Sequence, residues 1–128
     1  MAVFVILSFA SCKAPPAGLW ADAVYTEDTV LGEGDTTFTL AVTAEEKTVK
    51  FTISTDKKTL GEALTDLELI DGEMGDYGLY ITEVNGMTLV YEESGMYWSV
   101  TENGEYAMTG VDGITLQDGG EYGLVAAK

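Results

Sequence analysis

The chain has 128 residues, with 22 acidic and 6 basic side chains, a formal net charge of −16 and no histidine. One domain suits that length, and the charge repels nucleic acid and anionic bilayers, both of which are held through Lys and Arg. Without His, and with Cys12 as the single cysteine, Ser-His-Asp and Cys-His catalysis, His or multi-Cys zinc sites and an intrachain disulfide are excluded.

Apolar residues make up 46% and aromatics 10%, values of a globular chain, so the acidity does not mark a disordered polyanion. Residues 1–10 (MAVFVILSFA) form a continuous apolar run. It is too short to cross a bilayer, which takes about 20 residues, and it suits the apolar region of a secretory signal. Ala10 and Ser11 directly before Cys12 resemble the lipobox of bacterial lipoproteins, with Phe9 where Leu is usual. That resemblance implies cleavage before Cys12 and a lipid on its sulfur. The alternative is a buried N-terminal strand with a structural cysteine. Residues 13–18 (KAPPAG) read as a tether that holds the domain clear of the membrane.

Residues 19–35 show no clean period, and they read as an extended lead-in that lays Trp20 and Tyr25 against the domain. Trp20 in the membrane interface is the alternative. Residues 37–42 alternate strictly, with Phe38, Leu40 and Val42 on one face, and residues 48–54 do the same with Val49, Phe51 and Ile53. A short polar link joins them, so they predict an antiparallel hairpin.

Thr59 with Glu62 is a capping-box pattern, and Leu60, Ala63, Leu64 and Leu67 fall on one helical stripe. The helix is expected to run for about ten residues across the hairpin and to end at Gly72 in a left-handed cap. Gly61 is expected to allow close approach of helix and sheet. Beyond Gly75, strands are expected at residues 79–84, 97–101, 105–108, 114–116 and 122–126, with hairpin turns at Asn85-Gly86 and Asn103-Gly104. The run 87–91 extends a strand or folds over the sheet edge. Six or seven strands and a single helix result, with no repeat. The last strand (GLVAAK) looks weak.

The fold class is therefore α+β and β-grasp-like: an N-terminal β-hairpin, then one helix packed on a mixed or antiparallel sheet of further strands. The chain divides into a signal (1–11), a lipidated Cys with tether and lead-in (12–35), and the domain (36–128). Several separated motifs carry a family resemblance. They are Thr59-Leu60 with Ala63-Leu64; Tyr77-Gly78-Leu79-Tyr80-Ile81 with Val84-Asn85-Gly86; Tyr97-Trp98-Ser99-Val100 with Asn103-Gly104-Glu105; and Gly110-Val111-Asp112 with Leu116-Gln117-Asp118-Gly119. In this order they resemble DUF4430, the transcobalamin-like C-terminal domain, over residues 36–126. Gly120 stands where that family usually has a second Asp. The resemblance implies the fold, and it implies a corrinoid as a possible bound ligand, although no helical partner domain fits in this chain.

Tyr77, Tyr80, Tyr97, Trp98, Asn103 and Tyr106 are the candidate ligand-binding residues, because Tyr and Trp offer flat apolar area with a polar handle. Strand alternation puts Trp98 inward if Tyr97 faces out. Padding of a small sheet is the alternative for the rings, and turn formation for Asn103. The carboxylates of Asp71, Glu73 and Asp76 lack the order of a calcium loop, so no metal site is expected. Glu92 and Glu93 are one carboxylate pair among many, and no enzyme or resident cofactor is expected. The sequence thus reads as a lipid-anchored, extracytoplasmic, non-catalytic binding module. A structural or adhesion module acting through protein contacts at the cell envelope is the second reading.

Overall fold

The computed structural model describes residues 18–76, 78–107 and 110–128. Cys12, the apolar run, nearly all of the tether and Tyr77 lie outside the described residues.

The expected hairpin forms from β2 (Thr36–Ala44) and β3 (Lys47–Thr55), paired antiparallel from Thr36↔Thr55 to Ala44↔Lys47. Its burial alternates as the sequence does: Phe38, Leu40, Val42, Val49, Phe51 and Ile53 are all at most 1% exposed. Glu45 and Glu46 make the turn with both φ angles positive, 52° and 68°, which matches the twist of a two-residue hairpin. The end strand, β9 (Glu121–Ala127), lies parallel to β2 on one side and antiparallel to β7 (Tyr97–Glu102) on the other. It is thus a central strand rather than a weak edge. Gly123 earns that position by having no side chain, since a Cβ there would stand 2.5 Å from Thr101 Oγ1.

The lead-in is more ordered than its aperiodic composition predicts. A 3-10 turn at Gly18–Asp22 sinks Trp20 into the core at 4% exposure, where its Nε1 donates to Ala44 O at 2.8 Å and Lys47 Nζ stands 4.8 Å from the ring centre. The packing reading of Trp20 holds. Tyr25 meets Phe51 edge-on at 5.6 Å. The chain then adds β1 (Thr29–Gly32), parallel to β3. With β8 (Glu105–Tyr106), the large sheet has the order β1-β3-β2-β9-β7-β8.

Helix α1 (Leu60–Asp66) starts as expected: Thr59 Oγ1 accepts from Glu62 N at 3.2 Å and donates to Glu62 Oε1 at 3.3 Å. Its end differs from expectation. Seven residues are helical, and the left-handed position is Glu68 (φ 60°), not Gly72. Glu68 N donates to Thr65 O and Leu69 N to Leu64 O, the two bonds of a Schellman closure, with Leu64 and Leu69 both buried beside it. Leu60, Ala63 and Leu64 are buried, and Leu67 is partly buried against the same core. Gly61 faces the 3-10 turn Val111–Gly113 rather than a sheet, because a Cβ there would collide with Asp112 Oδ1. The other carboxylate oxygen, Asp112 Oδ2, accepts from Leu79 N at 3.0 Å.

A second, three-stranded antiparallel sheet follows, of order β4-β5-β6, from β4 (Ile70–Gly75), β5 (Gly78–Val84) and β6 (Met87–Thr88). Gly72 belongs to β4, at a bulge where a Cβ would strike Tyr80 O. Residues 114–116 form only the bridge Thr59↔Thr115 rather than a strand, with Leu60 N donating to Ile114 O at 3.0 Å and Leu116 N to Lys58 O at 2.9 Å. A second helix, α2 (Tyr91–Ser94), is also beyond the single one expected. Inward residues of both sheets and α1 merge into one core: Leu40, Phe51, Leu64, Val84, Met87 and Leu124 are all fully buried in it. The α+β, hairpin-then-helix order is that expected, with a second small sheet added.

Candidate functional site

Where 87–91 leaves β6, Leu89 plugs the core at 5% exposure and Val90, Tyr91, Glu92 and Glu93 turn outward. The single turn of α2 is held by Ser94 N and Ser94 Oγ donating to Val90 O at 2.9 and 3.1 Å, and by Gly95 N donating to Tyr91 O at 2.8 Å. Gly95 (φ 72°) takes the left-handed position that ends it. Met96 N then bonds Ser94 Oγ at 3.1 Å and the chain enters β7 at Tyr97. This reversal brings the rings of Tyr91 and Tyr97 to 6.5 Å between centres, tilted by 57°. Tyr91 is 54% exposed, Tyr97 38% and Val90 37%.

Of the residues expected to bind, Tyr97 joins this exposed pair and Trp98, its strand neighbour, points into the core at 6% exposure. Trp98 Nε1 is buried and finds no hydrogen-bond acceptor among the described residues. Tyr80 on β5 and Tyr106 on β8 are exposed, each without a ring contact to another described aromatic. Asn103 (φ 52°) makes its turn and clips it to β9: its N–H donates to Glu121 O at 2.6 Å, and its Oδ1 accepts from Glu121 N at 3.1 Å. The structure therefore gathers one of the expected tyrosines with Tyr91, which the sequence reading passed over. The signal for it was present: Leu89 to Glu93 followed by Ser94-Gly95 is an apolar-to-acidic step closed by a C-terminal glycine.

The outer face of the large sheet is uncovered and concave. It forms a groove of about 640 Å³ with Thr39, Ala41, Thr43, Thr52, Gly123 and Val125 on its floor, and Asp28, Lys50 and Glu121 at its margins. Asp28 Oδ1 is already engaged with Lys50 N at 2.9 Å. Asp71 and Glu73 lie on β4, with Asp76 just beyond it. Among the described residues, no group of three or more acidic side chains is placed to hold a metal ion.

Residues 57–121 match the family model described as "Domain of unknown function (DUF4430)". A crystal structure of a candidate metal binding protein from Ruminococcus gnavus ATCC 29149 is similar at 33% identity and a TM-score of 0.69, over 73% of this chain and 98% of that one. Haptocorrin in complex with Cbi is similar at 18% identity and a TM-score of 0.54, over 73% of this chain and 25% of haptocorrin. That second likeness is one of fold, and it bears out the transcobalamin-like architecture. No curated protein matches. The matched segment spans α1 to the start of β9, through both turns of the motif series, and the chain belongs to the DUF4430 family.

Proposed function

We propose that this chain is an exported, lipid-anchored, non-catalytic binding module that takes a small ligand on the exposed tyrosine surface of α2 and β7. The observation that carries this reading is the Tyr91–Tyr97 pair, two large rings held apart in fixed orientation and left open to solvent. Tyr offers large flat area with a polar handle and is enriched where proteins bind partners, which supports a binding role for an exposed pair. Tyr80 and Tyr106 add further exposed rings. The absence of His and of any second Cys in the sequence supports a role in binding rather than in nucleophilic catalysis.

The ligand class to test first is a corrinoid, because the fold is shared with haptocorrin, whose structure holds Cbi. This chain corresponds to 25% of haptocorrin, and a surface that covers one side of a ligand buries less of it than a closed pocket does. Binding is therefore expected to be micromolar or weaker. Trp20 and Trp98 are buried reporters of such binding, since a corrin absorbs where indole emits. Titration with cobinamide should quench their fluorescence saturably, and less so in Tyr97→Ala. Quenching that stays absent up to millimolar ligand removes the corrinoid.

Anchoring rests on the Ala10-Ser11-Cys12 sequence after the apolar run. The attachment proposed is a lipid on Cys12; no helix among the described residues is long and apolar enough to cross a membrane. In cells fed labelled palmitate, the chain should take up label and Cys12→Ala should not. Equal labelling of the two would refute the anchor.

A further inference from the structure

We infer that the wedge between Tyr91 and Tyr97, with Glu92 and Glu93 beside it, binds the head group of a small organic ammonium ion. The inference rests on the binding-module reading and names the chemistry of the ligand. Three observations point to a cation. First, a ring face attracts a cation lying within about 6 Å of its centre, and the attraction grows when two rings address the same charge. Tyr91 and Tyr97, with centres 6.5 Å apart and planes tilted by 57°, form one aromatic pair, and 54% and 38% exposure leave both rings open to a charge arriving from solvent. Second, Glu92 and Glu93 stand in the first turn of α2 beside Tyr91, and no basic residue occupies that helix. Third, the charge of the chain is unevenly spread. No Lys or Arg occurs between Lys58 and Lys128, while that stretch carries 14 of the 22 acidic residues. Lys128 follows Ala127, the sheet partner of Tyr97, and against a net charge of −16 the field around the chain still draws cations and repels anions.

The size of the site selects a small ion. One helical turn and the first residue of a strand supply both rings, with the left-handed Gly95 (φ 72°) in the reversal between them. A methylated ammonium group presents a diffuse, weakly hydrated charge that loses little on leaving water, whereas a compact metal cation would lose much and gains no oxygen cage here.

The test uses the 128-residue chain, followed by amide chemical shifts during titration with choline and, in parallel, with its uncharged isostere 3,3-dimethylbutan-1-ol. Choline is expected to shift residues 91–97 saturably, with the isostere several-fold weaker. Replacing both rings (Tyr91→Leu with Tyr97→Leu) is expected to weaken choline about five- to thirtyfold, the combined loss of two exposed cation–ring contacts. Tyr91→Phe with Tyr97→Phe keeps the rings and should keep the binding, which separates loss of the site from loss of packing. Equal shifts from choline and its isostere, shifts elsewhere than 91–97, or no shifts at all would overturn the inference. Cobinamide quenching without choline binding would refute the cation site and leave the binding module standing; choline binding without quenching would do the reverse for the corrinoid.

Discussion

Asn85→Ala is expected to destabilise the fold by about 3 kcal/mol, the sum of two part-buried backbone groups of Tyr25 left without partners and a strained turn. Asn85 is 1% exposed, yet every polar group it has is engaged. Its Oδ1 accepts from Tyr25 N at 2.9 Å and its Nδ2 donates to Tyr25 O at 2.8 Å. Its backbone N–H donates to Leu69 O at 2.7 Å, and its carbonyl accepts from Val24 N at 2.9 Å. One residue therefore ties the lead-in, through its side chain and its carbonyl, to the tip of the β5–β6 hairpin, and its backbone N–H ties that tip to Leu69, just past α1. It does so from a left-handed backbone, φ 53°, which Asn tolerates and Ala does not. Asn85→Gly relieves the backbone while still removing the two bonds to Tyr25, so it should recover part of the loss, about 1 kcal/mol. Urea unfolding of the three proteins measures this. A change under about 0.5 kcal/mol for Asn85→Ala, the size of an ordinary surface substitution, would mean that the clamp does not hold the lead-in.

Leu64→Ala should cost a similar amount or more, about 2–5 kcal/mol, through lost burial and the cavity left behind. Leu64 is fully buried, and its carbonyl accepts Leu69 N at 2.9 Å in the closure of α1. Leu67→Ala, one position past the helix and only partly buried, should cost far less, about 1 kcal/mol. The midpoint of denaturation should fall with an unchanged slope in both, since the folded area is the same. Equal losses at the two positions would contradict the facing of the helix.

Period and turn chemistry made much of this fold legible. Strict alternation in 37–42 and 48–54 calls for a half-buried hairpin, and the two strands pair antiparallel in that way over the slightly longer spans 36–44 and 47–55. Thr59 with Glu62 fixed the helix start, and Asn85-Gly86 and Asn103-Gly104 fixed two turns through their positive φ angles. What escaped was set by partners distant in sequence. Glu68 in a left-handed cap has no local signature, so the helix was read too long. β1 has four residues and, among the described residues, pairs with β3 alone, so nothing nearby announces it. The apolar, glycine-containing β9 looks like a failing edge until it is seen to be paired on both sides, where small residues are an advantage.

The candidate site was half legible for the same reason. Alternation separates Tyr97 from Trp98 correctly, because adjacent strand residues must face opposite ways. Pairing Tyr97 with Tyr91 depends on the six-residue reversal through Gly95, a three-dimensional event that composition does not carry. Asn103 drew notice as a candidate contact, and both its backbone N–H and its side-chain oxygen turn out to be spent on Glu121.

Mapping where cobinamide contacts the molecule, by amide shifts across the 128-residue chain, probes the functional account at its base. The account predicts the largest changes at residues 90–97, with smaller ones near Tyr80 and Tyr106. Changes centred instead on Thr39, Thr52 and Val125 of the outer sheet groove, or none anywhere, would contradict it.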